Sequence, residues 1–181
     1  MQGPGDRAAV RDVIVRAFGR AVVADLAEAL LAAPARASGA SPDGWGAGLS
    51  YLAERAGVPV GHVQLSRSWV DAPDRLVEVL VLSPLSVVPE HQKQGIGTEL
   101  VGHAVAEATR VGAPLLFLEG DPRYYSRLGF QAAGGFGFTA PSVRIPAPAF
   151  QVMPLPGYEP WMTGALVYAE QFWAYDCVGL R

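Results

Sequence analysis

Charge is scarce in this sequence, with Asp, Glu, Lys and Arg making up only 17% of its 181 residues. The formal net charge is −3, so there is no basic surplus to neutralise the phosphates of a duplex, and no nucleic acid partner is expected. Cysteine is almost absent. The lone Cys177 excludes an intramolecular disulfide framework and has no Cys-x-x-Cys spacing; no metal is expected, and a reducing, cytoplasmic setting fits. Long hydrophobic runs are missing as well. The longest, Leu76 to Val88, is interrupted by Glu78, Ser83, Pro84 and Ser86, which excludes a spanning helix and leaves no membrane partner expected. Met1 to Asp6 lacks the basic and apolar regions of an export signal. Hydrophobic residues, by contrast, make up 50% of the chain, enough at this length to bury the core of one domain over residues 1–181.

The apolar spacing predicts two N-terminal helices. Val10, Val13, Ile14, Ala17 and Phe18 follow Asp6 as a cap, and Val22 to Ala33 follow Gly19 and stop at Pro34. Pro34 to Gly48 is expected to be a loop. Leu49 to Glu54 and Val58 to Ser66 flank a turn at Arg55-Ala56-Gly57 and predict a hairpin. Leu76 to Val88 is dense in Val and Leu, as in a strand buried on both faces. Pro84 sits within it, so the ladder is expected to break there and a neighbouring strand to diverge. A helix is predicted over Gly95 to Val111, then a short strand at Leu115 to Leu118. A further helix is predicted from Asp121-Pro122 through Leu128, ended by Gly129. Short strands and irregular segments are expected after that.

The informative stretch is Leu85 to Gly97, a buried strand that turns into a helix start. Gly95 and Gly97 permit close approach of a ligand, and the unpaired N–H groups of a first helical turn attract an anion such as a pyrophosphate. Lys93 adds a cation. Strand, turn and glycine-started helix also occur as a plain connection in α/β proteins, so glycines alone do not decide. No third glycine completes G-x-G-x-x-G and no Gly-Lys-Ser/Thr follows, which disfavours dinucleotides and ATP.

Gln92-x-x-Gly95-x-Gly97, following Val88-Pro89, resembles the Q/R-x-x-G-x-G/A motif of the GNAT acetyltransferase superfamily. Tyr125-Ser126-Arg127-Leu128-Gly129-Phe130 resembles the family's Y-x-x-x-G-F element, in the order the family requires. The fuller forms around Pro84-Leu85 and Gly120-Asp121-Pro122 are similar to the YhbS-type branch, with Ser83 where that branch usually has glycine. The resemblance covers Leu49 to Phe130 well and the first two helices acceptably. It implies an α/β (α+β) acyl-coenzyme A N-acyltransferase fold, a central mixed and twisted sheet flanked by helices. It also implies a strand before the first helix, for which Met1 to Gly5 supplies poor material; either that strand is lost or the natural chain begins upstream.

The implied activity is transfer of an acetyl group from acetyl-coenzyme A to the primary amine of a small molecule or peptide. The alternative is a non-catalytic acyl-coenzyme A sensor. By the resemblance, the amides of Lys93, Gln94, Gly95, Ile96, Gly97 and Thr98 hold the pyrophosphate, and Gln92 belongs to the same cofactor-binding loop. Main-chain groups of Leu85 and Val87 pair with pantetheine, Ser86 between them is counted in the cofactor-binding strand, and the Val87 N–H polarises the thioester. Tyr125 touches the cofactor and is the expected general acid toward the leaving thiolate. For a general base the candidates are Glu78 and His62, although a satisfied core histidine and a buried, hydrogen-bonded glutamate are the more ordinary roles and water could instead carry the proton away. Trp45, Trp69, Trp161, Trp173 and Cys177 are assigned no chemical role. The aromatic segment Trp161 to Tyr175 suggests a homodimer.

Overall fold

The computed structural model describes residues 4–33 and 48–179. The expected loop after Pro34, with Trp45, lies outside them. Helix α1 spans Pro4–Phe18, beginning before the expected cap, and α2 spans Ala21–Ala32. Strands β1 (Gly48–Arg55) and β2 (Val58–Asp71) form the expected hairpin, but β2 runs beyond Ser66. Its extra length has a partner that the hairpin pattern does not contain, because β7 (Ala165–Val167) pairs antiparallel with Trp69, Val70 and Asp71.

Strand β3 (Leu76–Val87) leads through a 3-10 turn at Pro89–His91 to helix α3 (Ile96–Arg110). Then come β4 (Leu115–Glu119), the single-turn helix α4 (Pro122–Tyr125), β5 (Gln131–Ala132), β6 (Phe150–Pro154) and, after β7, α5 (Glu170–Ala174). Helix α4 is shorter than predicted, since a 3-10 turn carries Ser126–Leu128 to the left-handed Gly129 at φ 94°. Asp121 caps it as expected, accepting from the Arg123 N–H at 2.9 Å.

These strands make a mixed seven-stranded sheet in the order β1-β2-β3-β4-β6-β5, with β7 also on β2. Helix α3 covers one face. Ile96, Leu100, Val101 and Ala104 pack there on Val63, Leu65, Leu80 and Leu116. On the other face Leu26 and Leu30 of α2, with Phe138, Phe150, Leu166 and Phe172, pack on Val70, Val79, Val81 and Phe117. That face of β2 is polar yet buried: His62, Gln64, Ser66 and Ser68 are all 0% exposed. The helices satisfy part of it, as where the Gln64 amide donates to the Ala27 carbonyl at 3.1 Å. No helix among the described residues is long and apolar enough to cross a membrane.

Pro84 does to the sheet what its chemistry requires. Between the pairs Val63↔Leu85 and Leu65↔Leu82 the register shifts, leaving an extra residue on β3 at Ser83-Pro84. The parallel partner then departs: β3 and β4 pair only at Leu80↔Leu116 and Val81↔Phe117. Beyond Val81 the two strands splay, and a gap opens between the C-terminal halves of β3 and β4.

Candidate active site

The gap has main-chain groups to offer. Val88 donates to the Val60 carbonyl of β2 at 3.0 Å. Since successive strand residues address opposite edges, Leu85 and Val87 direct their N–H and C=O groups away from β2, into the gap. The Gln92 side-chain amide occupies the Val87 carbonyl at 3.0 Å. That contact ties the loop to the strand. Ser86, between them, is buried on the α2 side at 1% exposure, and its hydroxyl has no partner among the described residues.

At the end of β3 the chain forms an open cradle. Lys93 (φ 61°) and Gly95 (φ 88°) both take left-handed backbone, which turns the loop so that its amides face outward into α3. The first helical bond of α3 is Glu99 N–H to the Gly95 carbonyl at 3.0 Å. The amides of Ile96, Gly97 and Thr98 precede it and have no intrahelical acceptor. Among the described residues those of Lys93, Gln94 and Gly95 make no backbone hydrogen bond outside regular structure either. Gln92, Lys93, Gln94, Gly95 and Thr98 are exposed, so no side chain plugs the turn. A Cβ on Gly97 would stand 2.8 Å from the Tyr124 hydroxyl, which therefore hangs over the cradle.

Helix α4 joins this cradle to a cavity. The rings of Tyr124 and Tyr125 meet edge to face at 4.9 Å; Tyr124 turns to Gly97 and Tyr125 to the gap. Gly120 makes room for Tyr125. A Cβ there would fall 2.3 Å from the Tyr125 ring, so only glycine lets the ring lie against the end of β4. Burial and the neighbouring Tyr124 push the Tyr125 hydroxyl pKa well above the usual tyrosine value. It stays protonated, with no hydrogen-bond partner among the described residues, and is available as a donor.

The cavity has a volume of about 460 Å³ and opens on the α2 side of the sheet, lined by Leu82 to Leu85 of β3, Glu119 and Gly120 of β4, and Tyr125. The α1–α2 junction and residues 168–179 close it. Its charged lining residues are Arg20, Glu119, Asp121 and Asp176, and no sequence motif pointed to Glu119. Its carboxylate accepts from the Tyr168 hydroxyl at 2.7 Å and from the Gly179 N–H at 3.0 Å. Burial pushes its pKa up, while Tyr168, Gly179 and the more distant Arg144 hold it back.

Neither sequence candidate for the base lines this cavity. Glu78 shares the α3 face of β3 with Leu80 and pairs with Arg67 at 3.5 Å, both side chains nearly buried. His62 is 0% exposed, its Nε2 lies 2.8 Å from the Ser50 hydroxyl, and burial lowers its pKa to about 4. Cys177 does line the cavity, with its Sγ 3.4 Å from the Tyr175 carbonyl. Among the described residues no cluster of His, Cys, Asp or Glu is arranged to hold a metal ion.

A mixed sheet split beside a bulged strand, with an amide cradle at the start of the following helix, defines the GNAT acyltransferase class. Residues 19–130 match the Acetyltransferase (GNAT) family, and the chain belongs to it. It is 34% identical over 137 residues to the uncharacterized N-acetyltransferase YjhQ of Escherichia coli K12, covering 75% of this chain and 71% of that one. Among solved structures it resembles the GNAT family N-acetyltransferase YhbS of E. coli in complex with CoA, with a TM-score of 0.76 and 25% identity. That match covers 94% of this chain and 88% of the other. A GNAT family acetyltransferase from Brucella melitensis in complex with acetyl-CoA matches with a TM-score of 0.68 and 27% identity, over 94% of both chains.

Proposed function

We propose that this protein transfers an acetyl group from acetyl-coenzyme A to a primary amine, by direct attack within the split between β3 and β4. The observation that carries this reading is the split itself: a cradle of unpaired amides at one end and a cavity with a protonated tyrosine at the other. The residues fit the cosubstrate. The amides of Lys93 through Thr98 and the positive end of α3 suit a pyrophosphate, with the Tyr124 hydroxyl as a further donor. Leu85 and Val87 offer a strand edge to an amide-bearing arm, as a sheet edge accepts an added strand. The CoA complexes of the two structural relatives support the same assignment.

When bound, acetyl-coenzyme A supplies an electrophilic thioester carbonyl and a thiolate leaving group. The chain's own contribution is placement and proton traffic. Val87 presents its N–H to the gap, where it is placed to stabilise developing negative charge on a carbonyl oxygen. The buried Tyr125 hydroxyl holds the proton for the sulfur. Apolar side chains of β3 and α2 line the cavity beside these groups.

The test is release of free thiol from acetyl-coenzyme A over a panel of primary amines. At least one amine should accelerate release well above the rate without acceptor, with the N-acetyl product detected by mass. Tight acetyl-coenzyme A binding with no amine-dependent release from any class would instead support a sensor.

A further inference from the structure

We propose that Glu119 binds the acceptor as an ammonium ion and takes its first proton, and that the acceptor is a small primary amine with an apolar body. This inference rests on the acetyltransferase reading above and extends it to the substrate.

Three observations carry it. First, Glu119 is a half-buried carboxylate with no cation within ion-pair distance among the described residues; it accepts from the neutral Tyr168 hydroxyl and Gly179 amide, and Arg144 acts on it only at longer range. Such a charge is costly unless a cation completes it. The other carboxylates at the cavity are committed elsewhere, Asp121 to the cap of α4 and Asp176 to Arg144 at 2.6 Å. Second, the position is right. Glu119 lies two residues past Phe117, the last β4 residue paired with β3, and shares its face of the sheet, so the carboxylate stands where the strands separate. It lines the same cavity as Tyr125, so a proton acceptor and a proton donor face one space. Third, the walls suit an apolar body. Val22, Val23 and Leu26 of α2 and Leu85 of β3 line the cavity together with the buried Tyr168 and Phe172, whose rings stack on one another at 4.5 Å.

The protons balance. Glu119 takes one from R–NH3+ and passes it to solvent. The N–C bond forms as the C–S bond breaks, the nitrogen loses a second proton to solvent, and Tyr125 protonates the sulfur and is reprotonated from solvent. One proton is released for each acetyl group transferred.

Calorimetric titration of the protein without cosubstrate, using 2-phenylethylamine and its neutral counterpart 2-phenylethanol, tests this. The cation should bind about tenfold or more tightly than the alcohol, as expected for a hydrogen-bonded charge. Glu119→Gln should abolish that preference, and Tyr168→Phe, which keeps the carboxylate, should retain it. Equal affinities in the unaltered protein, or an undiminished preference in Glu119→Gln, would overturn the proposal. Should Glu119→Gln fail to fold, the comparison in the unaltered protein still decides, together with the 13C carboxyl resonance of Glu119. That resonance should move with the amine and not with the alcohol; no movement overturns the proposal. Stabilisation of Glu119→Gln by acetyl-coenzyme A should be unchanged. Its absence in the unaltered protein would count against the acetyltransferase reading and leave the amine site standing.

Discussion

Tyr125→Phe should lower the rate of acetyl transfer by about 10²-fold, at the modest end of what a positioned acid contributes. Burial has raised the Tyr125 pKa, which by itself makes it a weaker acid toward a thiolate. The same apolar surroundings also raise the basicity of a thiolate formed beside it, so the two effects partly cancel. The loss should fall on kcat, with acetyl-coenzyme A affinity retained, because phenylalanine fills the same space against Gly120. The raised pKa also means that tyrosine ionisation should produce no fall in rate below about pH 10. A variant with unchanged kcat would remove Tyr125 from the chemistry and leave it as packing.

Phe117→Ala should cost about 3–5 kcal/mol of stability, the range for deleting a fully buried aromatic ring. Phe117 is 0% exposed. Its ring stacks on Phe150 at 5.7 Å and meets Phe138 edge-on at 5.0 Å, which fastens the C-terminal segment to the sheet. Against a typical total of about 5–15 kcal/mol, this loss is a large fraction. Urea denaturation should show a lower midpoint with little change in slope. A loss below about 1 kcal/mol would mean that the segment carrying Phe138 and Phe150 is held by other contacts.

The parts of this site that the sequence made legible are those fixed by local chemistry. Pro84 cannot donate to a ladder, so a bulge and a departing neighbour follow from one residue. Gly95 and Gly97 mark a turn whose amides face outward, and Asp121-Pro122 marks a helix start. What stayed hidden depends on contacts between distant segments. Glu119 ends a short apolar strand and carries no motif; it becomes significant only because residues 168–179 fold back and supply Tyr168 and Gly179. His62 is a titratable group on the strand paired with β3, but strand alternation does not say that α1 and α2 bury its face. Glu78 was separated from the cavity by the same two-residue period, which sends it to the α3 side with Arg67. The added length of β2 came from β7, a partner nearly a hundred residues downstream.

On the proposed reading, the amide cradle and the split sheet together hold acetyl-coenzyme A. Thermal or urea denaturation with and without this ligand addresses it most directly. At 100 times its dissociation constant, the ligand should stabilise the protein by about 2.7 kcal/mol. An unchanged transition at millimolar acetyl-coenzyme A would contradict it, whatever amine were then supplied.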